Sequence, residues 1–158
     1  MTDLVLLTDE EIADMSYDSF NKTDLVAMQS MQESEFPRYT VAMAHTIYVW
    51  ENILYQEASR LCESYDGGVW ETKNGFWTLQ SDSIFYMENG WDEAFNLNAL
   101  EFSIVVNLFA LSKIAMMTYS SKPAINRRAV FFSDYIKDVI HKNRNVLDTT
   151  AVSYTHLP

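Results

Sequence analysis

The sequence predicts an α+β fold: a small antiparallel sheet of three to four strands, packed with several α-helices in a single domain. Three observations carry this. Residues 40–64 repeat apolar side chains at helical spacing, residues 69–87 hold short aromatic, β-prone segments separated by turn residues, and residues 98–119 form a long apolar run without strand alternation. A chain of 158 residues that is 48 % apolar has one domain's length and enough apolar surface for a core.

The elements follow in order. Thr8-Asp9-Glu10-Glu11 is a capping box, in which Thr8 accepts from the Glu11 amide and Glu11 reaches back to Thr8. It predicts a short helix to about Met15, and a second is expected from Thr23 to Gln32. Pro37 separates this acidic arm, residues 1–35, from the main domain, residues 36–148. From Thr40 to Ser64, Met43, Ile47, Trp50, Leu54, Ala58 and Leu61 fall on one helical face, with Glu57, Arg60 and Glu63 opposite. Gly67-Gly68 predict the helix stop, because glycine takes the left-handed conformation at little steric cost.

Val69–Thr72, Phe76–Leu79 and Ile84–Met87 predict a three-stranded antiparallel meander that ends at Asn89-Gly90. Asn74-Gly75 is a strong signal for its first hairpin, and Gln80–Ser83 supplies the second turn. Asn98 or Asn96 can cap the next helix, which runs to about Tyr119. That helix is apolar around most of its circumference and so belongs at the centre of the domain. Ser103, Asn107, Ser112 and Lys113 interrupt it, which reads as a buried helix and not as a membrane span. Pro123 breaks the chain. A last amphipathic helix from about Ala124 to His141 is expected to bury Val130, Phe131, Ile136, Val139 and Ile140, and to expose Arg127, Arg128, Lys137 and Lys142. Residues 149–158 show no usable periodicity and read as an unstructured tail.

The formal net charge is −11, unevenly spread. Residues 1–36 hold nine acidic residues against Lys22 alone, whereas residues 101–158 hold seven Lys/Arg against four acids. Direct nucleic-acid binding wants a basic face, and the scattered C-terminal cations read as a solvated helix surface. An acidic N-terminal half suits solubility or a basic protein partner. The single cysteine, Cys62, allows no internal disulfide, which is ordinary for a reducing cytosol. Met1-Thr2-Asp3-Leu4 lacks the basic start of a signal peptide.

Residue chemistry offers no catalytic set, metal site or cofactor site. Cys62 and His45 are expected on one helix, roughly 25 Å apart at ~1.5 Å per residue, so they form no dyad, and Cys62 reads as a core residue. Asp82, Glu88, Asp92 and Glu93 read as solvated loop carboxylates. Gly67-Gly68 follows a helix and precedes a strand, the reverse of a phosphate loop. The aromatic series Trp70, Phe76, Trp77, Phe85, Tyr86 and Trp91 is either a covered sheet face or partly an exposed one. Strand alternation sets Trp70 and Thr72 on one face, Val69 and Glu71 on the other. Exposed aromatics anchor protein interfaces, so Trp77, Tyr86 and Trp91, with Asp92 and Glu93, form the candidate interaction surface.

The run Tyr65-Asp66-Gly67-Gly68-Val69-Trp70-Glu71 follows the helix end Leu61-Cys62-Glu63-Ser64. Phe36-Pro37-Arg38 precedes it. Asn74-Gly75-Phe76-Trp77, Asn89-Gly90-Trp91, Asn98-Ala99 and Leu108-Phe109-Ala110-Leu111-Ser112 follow, with Asp134-Tyr135 in the last helix. In words, order and spacing, Phe36 to Ala115 resembles the ArdB/KlcA antirestriction family. The hairpin is shorter than the family's, and one glycine of its second pair is missing. Within the motif, Tyr65, Gly67, Gly68, Trp70 and Glu71 are the structural markers. The resemblance implies a cytoplasmic protein of phage or plasmid origin that inhibits a host type I restriction enzyme, or a related defence nuclease, by binding protein. It implies no enzymatic activity. From the residues themselves no cofactor, membrane or direct nucleic-acid contact is expected, and the chain is expected to be a monomer or homodimer. The alternatives are an acidic DNA mimic, for which the net charge speaks, and a small metal-dependent hydrolase using carboxylates such as Glu51, Glu71 and Asp92.

Overall fold

A computed structural model describes residues 5–8, 11, 47–73, 75–87, 95–120 and 123–147. The elements are α1 (Ile47–Leu61), β1 (Val69–Lys73), β2 (Phe76–Gln80), β3 (Phe85–Met87), β4 (Phe95–Leu97), α2 (Ala99–Thr118) and α3 (Pro123–Lys142). The molecule is mixed helix and strand. The expected helix at Thr23–Gln32, the first part of the 40–64 helix and the C-terminal tail lie outside the described residues.

Helix α2 is the centre, as its all-round apolar sequence predicts. Phe102, Ile104, Val105, Val106, Leu108, Leu111 and Ile114 are buried, and α1, α3 and β2 pack around them. Full burial of one such side chain contributes roughly 1.5–3 kcal/mol. Its N-terminus carries the predicted cap: Asn98 Oδ1 accepts from the Glu101 amide at 2.8 Å, and Glu101 Oε1 accepts from the Asn98 amide at 3.1 Å. The second bond makes this a full capping box.

Helix α1 buries Trp50, Leu54, Ala58 and Leu61, the face its spacing predicts. Trp50 reaches α3, with its ring 5.3 Å from that of Phe132. Glu57, expected on the solvent side, is buried instead. Arg60 grips its carboxylate in a bidentate pair, Nε to Oε2 at 2.6 Å, and lies over the Phe109 ring of α2 at 5.5 Å. The pairing is what makes a buried carboxylate tolerable. The helix also stops earlier than expected. Cys62 N–H still bonds to Ala58 C=O, then Tyr65 N–H turns back to Cys62 C=O, so α1 is closed before the glycines are reached.

Helix α3 is rotated relative to the expectation. Phe132, Tyr135, Ile136, Val139 and Ile140 are buried as a stripe, Phe131 is half-buried, and Val130 is exposed. Arg128, expected at the surface, is fully buried, and Arg127 is half-buried. Lys137 and Lys142 are exposed as expected. The Lys142–Asp138 pair at 2.9 Å is half-exposed at both ends, worth under about 1 kcal/mol, so the apolar stripe sets the helix's position. Near its end Asn143 holds the start of the chain: Oδ1 accepts from Val5 N–H at 2.6 Å, and Nδ2 donates to Val5 C=O at 3.1 Å. Thr8 and Glu11 form the predicted reciprocal bonds, and these hold the Glu11 carboxyl below its ordinary range.

The expected single meander is replaced by two sheets of two strands, β1–β2 and β3–β4, both antiparallel. The Asn-Gly hairpin forms as predicted, pairing Lys73 with Phe76 and leaving Gly75 at φ +97°. β3 cannot join it because the outer edge of β2 is taken. Trp77 N–H bonds to Asn107 Oδ1 at 3.2 Å, Asn107 Nδ2 bonds to Trp77 C=O at 2.7 Å, and Leu79 N–H bonds to Ser103 Oγ at 2.9 Å. Helix α2 thus sits where a third strand would pair. β3 bends away through Ser81–Ile84, where Ser83 N–H bonds to Ser81 Oγ, and pairs with β4.

Candidate functional site

The Tyr65–Glu71 run forms a locked corner between α1 and the β1–β2 hairpin. Trp70 Nε1 donates to Tyr65 Oη at 2.9 Å, and the two rings meet edge to face with centroids 6.3 Å apart. Both lie against Phe102 of α2, at 6.0 and 6.4 Å. Phe85 of β3 stacks on that same ring at 4.5 Å, so one phenylalanine gathers the corner and the second sheet. Gly68, at φ +153°, presses on β2: a Cβ there would lie 2.7 Å from Leu79 Cδ1. The glycine pair therefore shapes the lead into β1 and does not end the helix, which corrects its expected role.

A shallow open cleft of about 510 Å3 flanks this corner, lined by Tyr55, Ser59, Tyr65, Asp66, Gly67 and Gly68. Tyr55 Oη donates to Glu51 Oε1 at 2.9 Å. Partial burial, the hydrogen bond to Glu51 and its negative charge push the phenol up to about 12, so it stays a neutral donor. Tyr55, Ser59 and the glycine-rich corner make this a polar surface, and Asp66 is the one charged residue among those that line it.

The five candidate interaction residues separate. Trp77 is buried, a correction: it shares the covered face of the hairpin with Trp70, Thr72 and Leu79, the set that strand alternation assigns to one side. Tyr86 is 45 % exposed on β3, between buried Phe85 and Met87. Its C=O accepts from Cys62 Sγ at 3.3 Å, which ties the buried cysteine to the second sheet. Trp91, Asp92 and Glu93 lie outside the described residues. Of the motif residues, Tyr65, Gly67, Gly68 and Trp70 come together and Glu71 is exposed on β1. Among the described residues no three His, Cys, Asp or Glu side chains gather at one place.

Sequence reasoning missed Ser103 and Asn107. Asn107 uses its whole amide: Oδ1 accepts once, and Nδ2 donates to Trp77 C=O and to Ser103 C=O at 2.6 Å. The signal was present as two polar residues, four apart, on an otherwise apolar helix. No protein-family model matches the chain, and no curated protein matches it.

Proposed function

We propose that this protein binds another protein to block it, and that its target is a type I restriction complex or a related bacterial defence nuclease, encountered in the cytoplasm of a bacterial host. The observation that supports the reading most is the Tyr65–Glu71 run, seated as a closed corner between a helix and a hairpin, the context in which the resembling family carries it. Buried Trp70 and half-buried Tyr65 stiffen a scaffold, and of the run's exposed residues, which include Asp66, Gly67 and Gly68, Glu71 with neighbouring Val69 lies on β1 and presents a rigid strand to a partner. Rigid presentation lowers the ordering cost of association. No catalytic step is assigned to the chain in this reading.

The test is the plating efficiency of unmodified phage on a type I restricting host, with and without the protein. Relief of restriction is the expected result. Unchanged restriction removes the type I target.

A further inference from the structure

The hairpin has a second outer edge, on β1. Trp77 and Leu79 turn their backbone groups away from β1 and toward α2. In an antiparallel ladder such residues belong to wide pairs, and their opposite residues also point outward. Those opposites are Thr72 and Trp70. Their N–H and C=O groups therefore face away from β2. Among the described residues no backbone or side-chain bond closes them, and β2 is the one described element that packs extensively on β1. Beside this edge, Val69 is 64 % exposed and Glu71 is exposed, and the described ion pairs, Arg60–Glu57 and Lys142–Asp138, do not include Glu71.

We infer that the outer edge of β1 takes up an extended segment of a partner protein as an added antiparallel strand, with a basic residue opposite Glu71 and an apolar residue opposite Val69. This deepens the protein-binding reading and rests on it. With Trp70 and Thr72 making the backbone bonds, Glu71 falls in a wide pair, where side chains approach most closely and opposite charge counts most. Backbone bonds give such additions their affinity, and alternate side chains give them their specificity. The chain's charge of −11 favours a basic segment further. A second copy paired about Glu71 would oppose two carboxylates, which disfavours that occupant.

The probe is a capped peptide, Thr-Lys-Thr-Val-Thr, at millimolar concentration against the intact protein, followed by amide shifts and hydrogen exchange. Slowed exchange at the Trp70 and Thr72 amides is expected. Glu71→Lys is expected to weaken binding about ten-fold, and replacing the peptide's Lys by Glu is expected to restore binding to that variant. N-methylation of the central Thr keeps every charge and removes one strand bond, so binding is expected to be lost. Equal binding of the N-methyl peptide, or no protection at Trp70 and Thr72, overturns the inference. Protection there without relief of restriction leaves the edge assignment standing and removes the proposed target. Relief of restriction without protection there removes the edge assignment alone.

Discussion

The two strands of the β1–β2 hairpin are equal in length and opposite at their outer edges. β2 is sealed by a helix. Ser103 and Asn107 are four residues apart, about 6 Å along α2, and they meet Leu79 and Trp77, two residues apart and nearly 7 Å along a strand. The two repeats match closely enough for helix side chains to stand in for a neighbouring strand. β1 has no such partner among the described residues, and among its described side chains Val69 and Glu71 are exposed. The contrast teaches that the sheet ends for different reasons on its two sides: one edge is consumed by the core, and the other has no partner among the described residues.

The sealed edge depends most on Asn107. Asn107→Ala leaves the Trp77 N–H and C=O buried without partners, and a loss of about 3 kcal/mol is expected from denaturant unfolding. Gly68→Ala adds a Cβ against Leu79 in a backbone conformation that side chains rarely adopt, and about 2 kcal/mol is expected to be lost. Ser103→Ala orphans the Leu79 amide alone and is expected to cost about 1.5 kcal/mol. Asn143 repeats the device on Val5, down to an added bond from Nδ2 to its own i−4 carbonyl, Val139. Because Val5 is exposed, Asn143→Ala is expected to cost only about 1 kcal/mol. On the open edge, Glu71→Lys is expected to change stability by less than about 0.5 kcal/mol. The smallest effect concerns Tyr55. Its phenol is raised from the ordinary 10 to about 12, so the stability it contributes is whole below pH 10 and is lost as pH rises through about 12. Titration of tyrosinate absorbance, compared with Tyr55→Phe, is expected to show the missing late step.

Periodicity made the helices legible, and Asn-Gly made the hairpin legible, because both signals are local. Asn98 announced its helix for the same reason. What failed was long-range. Gly67-Gly68 looked like a helix stop, but the constraint that requires glycine at position 68 is Leu79, on another strand. Trp77 looked like an interface anchor until its partner residue Thr72 placed it on the covered face. Arg128 and Glu57 were assigned to solvent by charge, yet both are buried. For Glu57 the reason is Arg60, one turn away, whose guanidinium satisfies both carboxylate oxygens. The single meander failed because Ser103 and Asn107 read as interruptions of an apolar helix, when they are the neighbours of β2. A polar pair four apart on a buried helix, following a short hairpin, is the pattern that could have revealed it.

The most direct test of the two-edge account is native-state amide hydrogen exchange across the hairpin. Trp77 and Leu79 amides are predicted to exchange only with global unfolding, and Trp70 and Thr72 amides are predicted to exchange far faster. Equal protection of all four amides would contradict it.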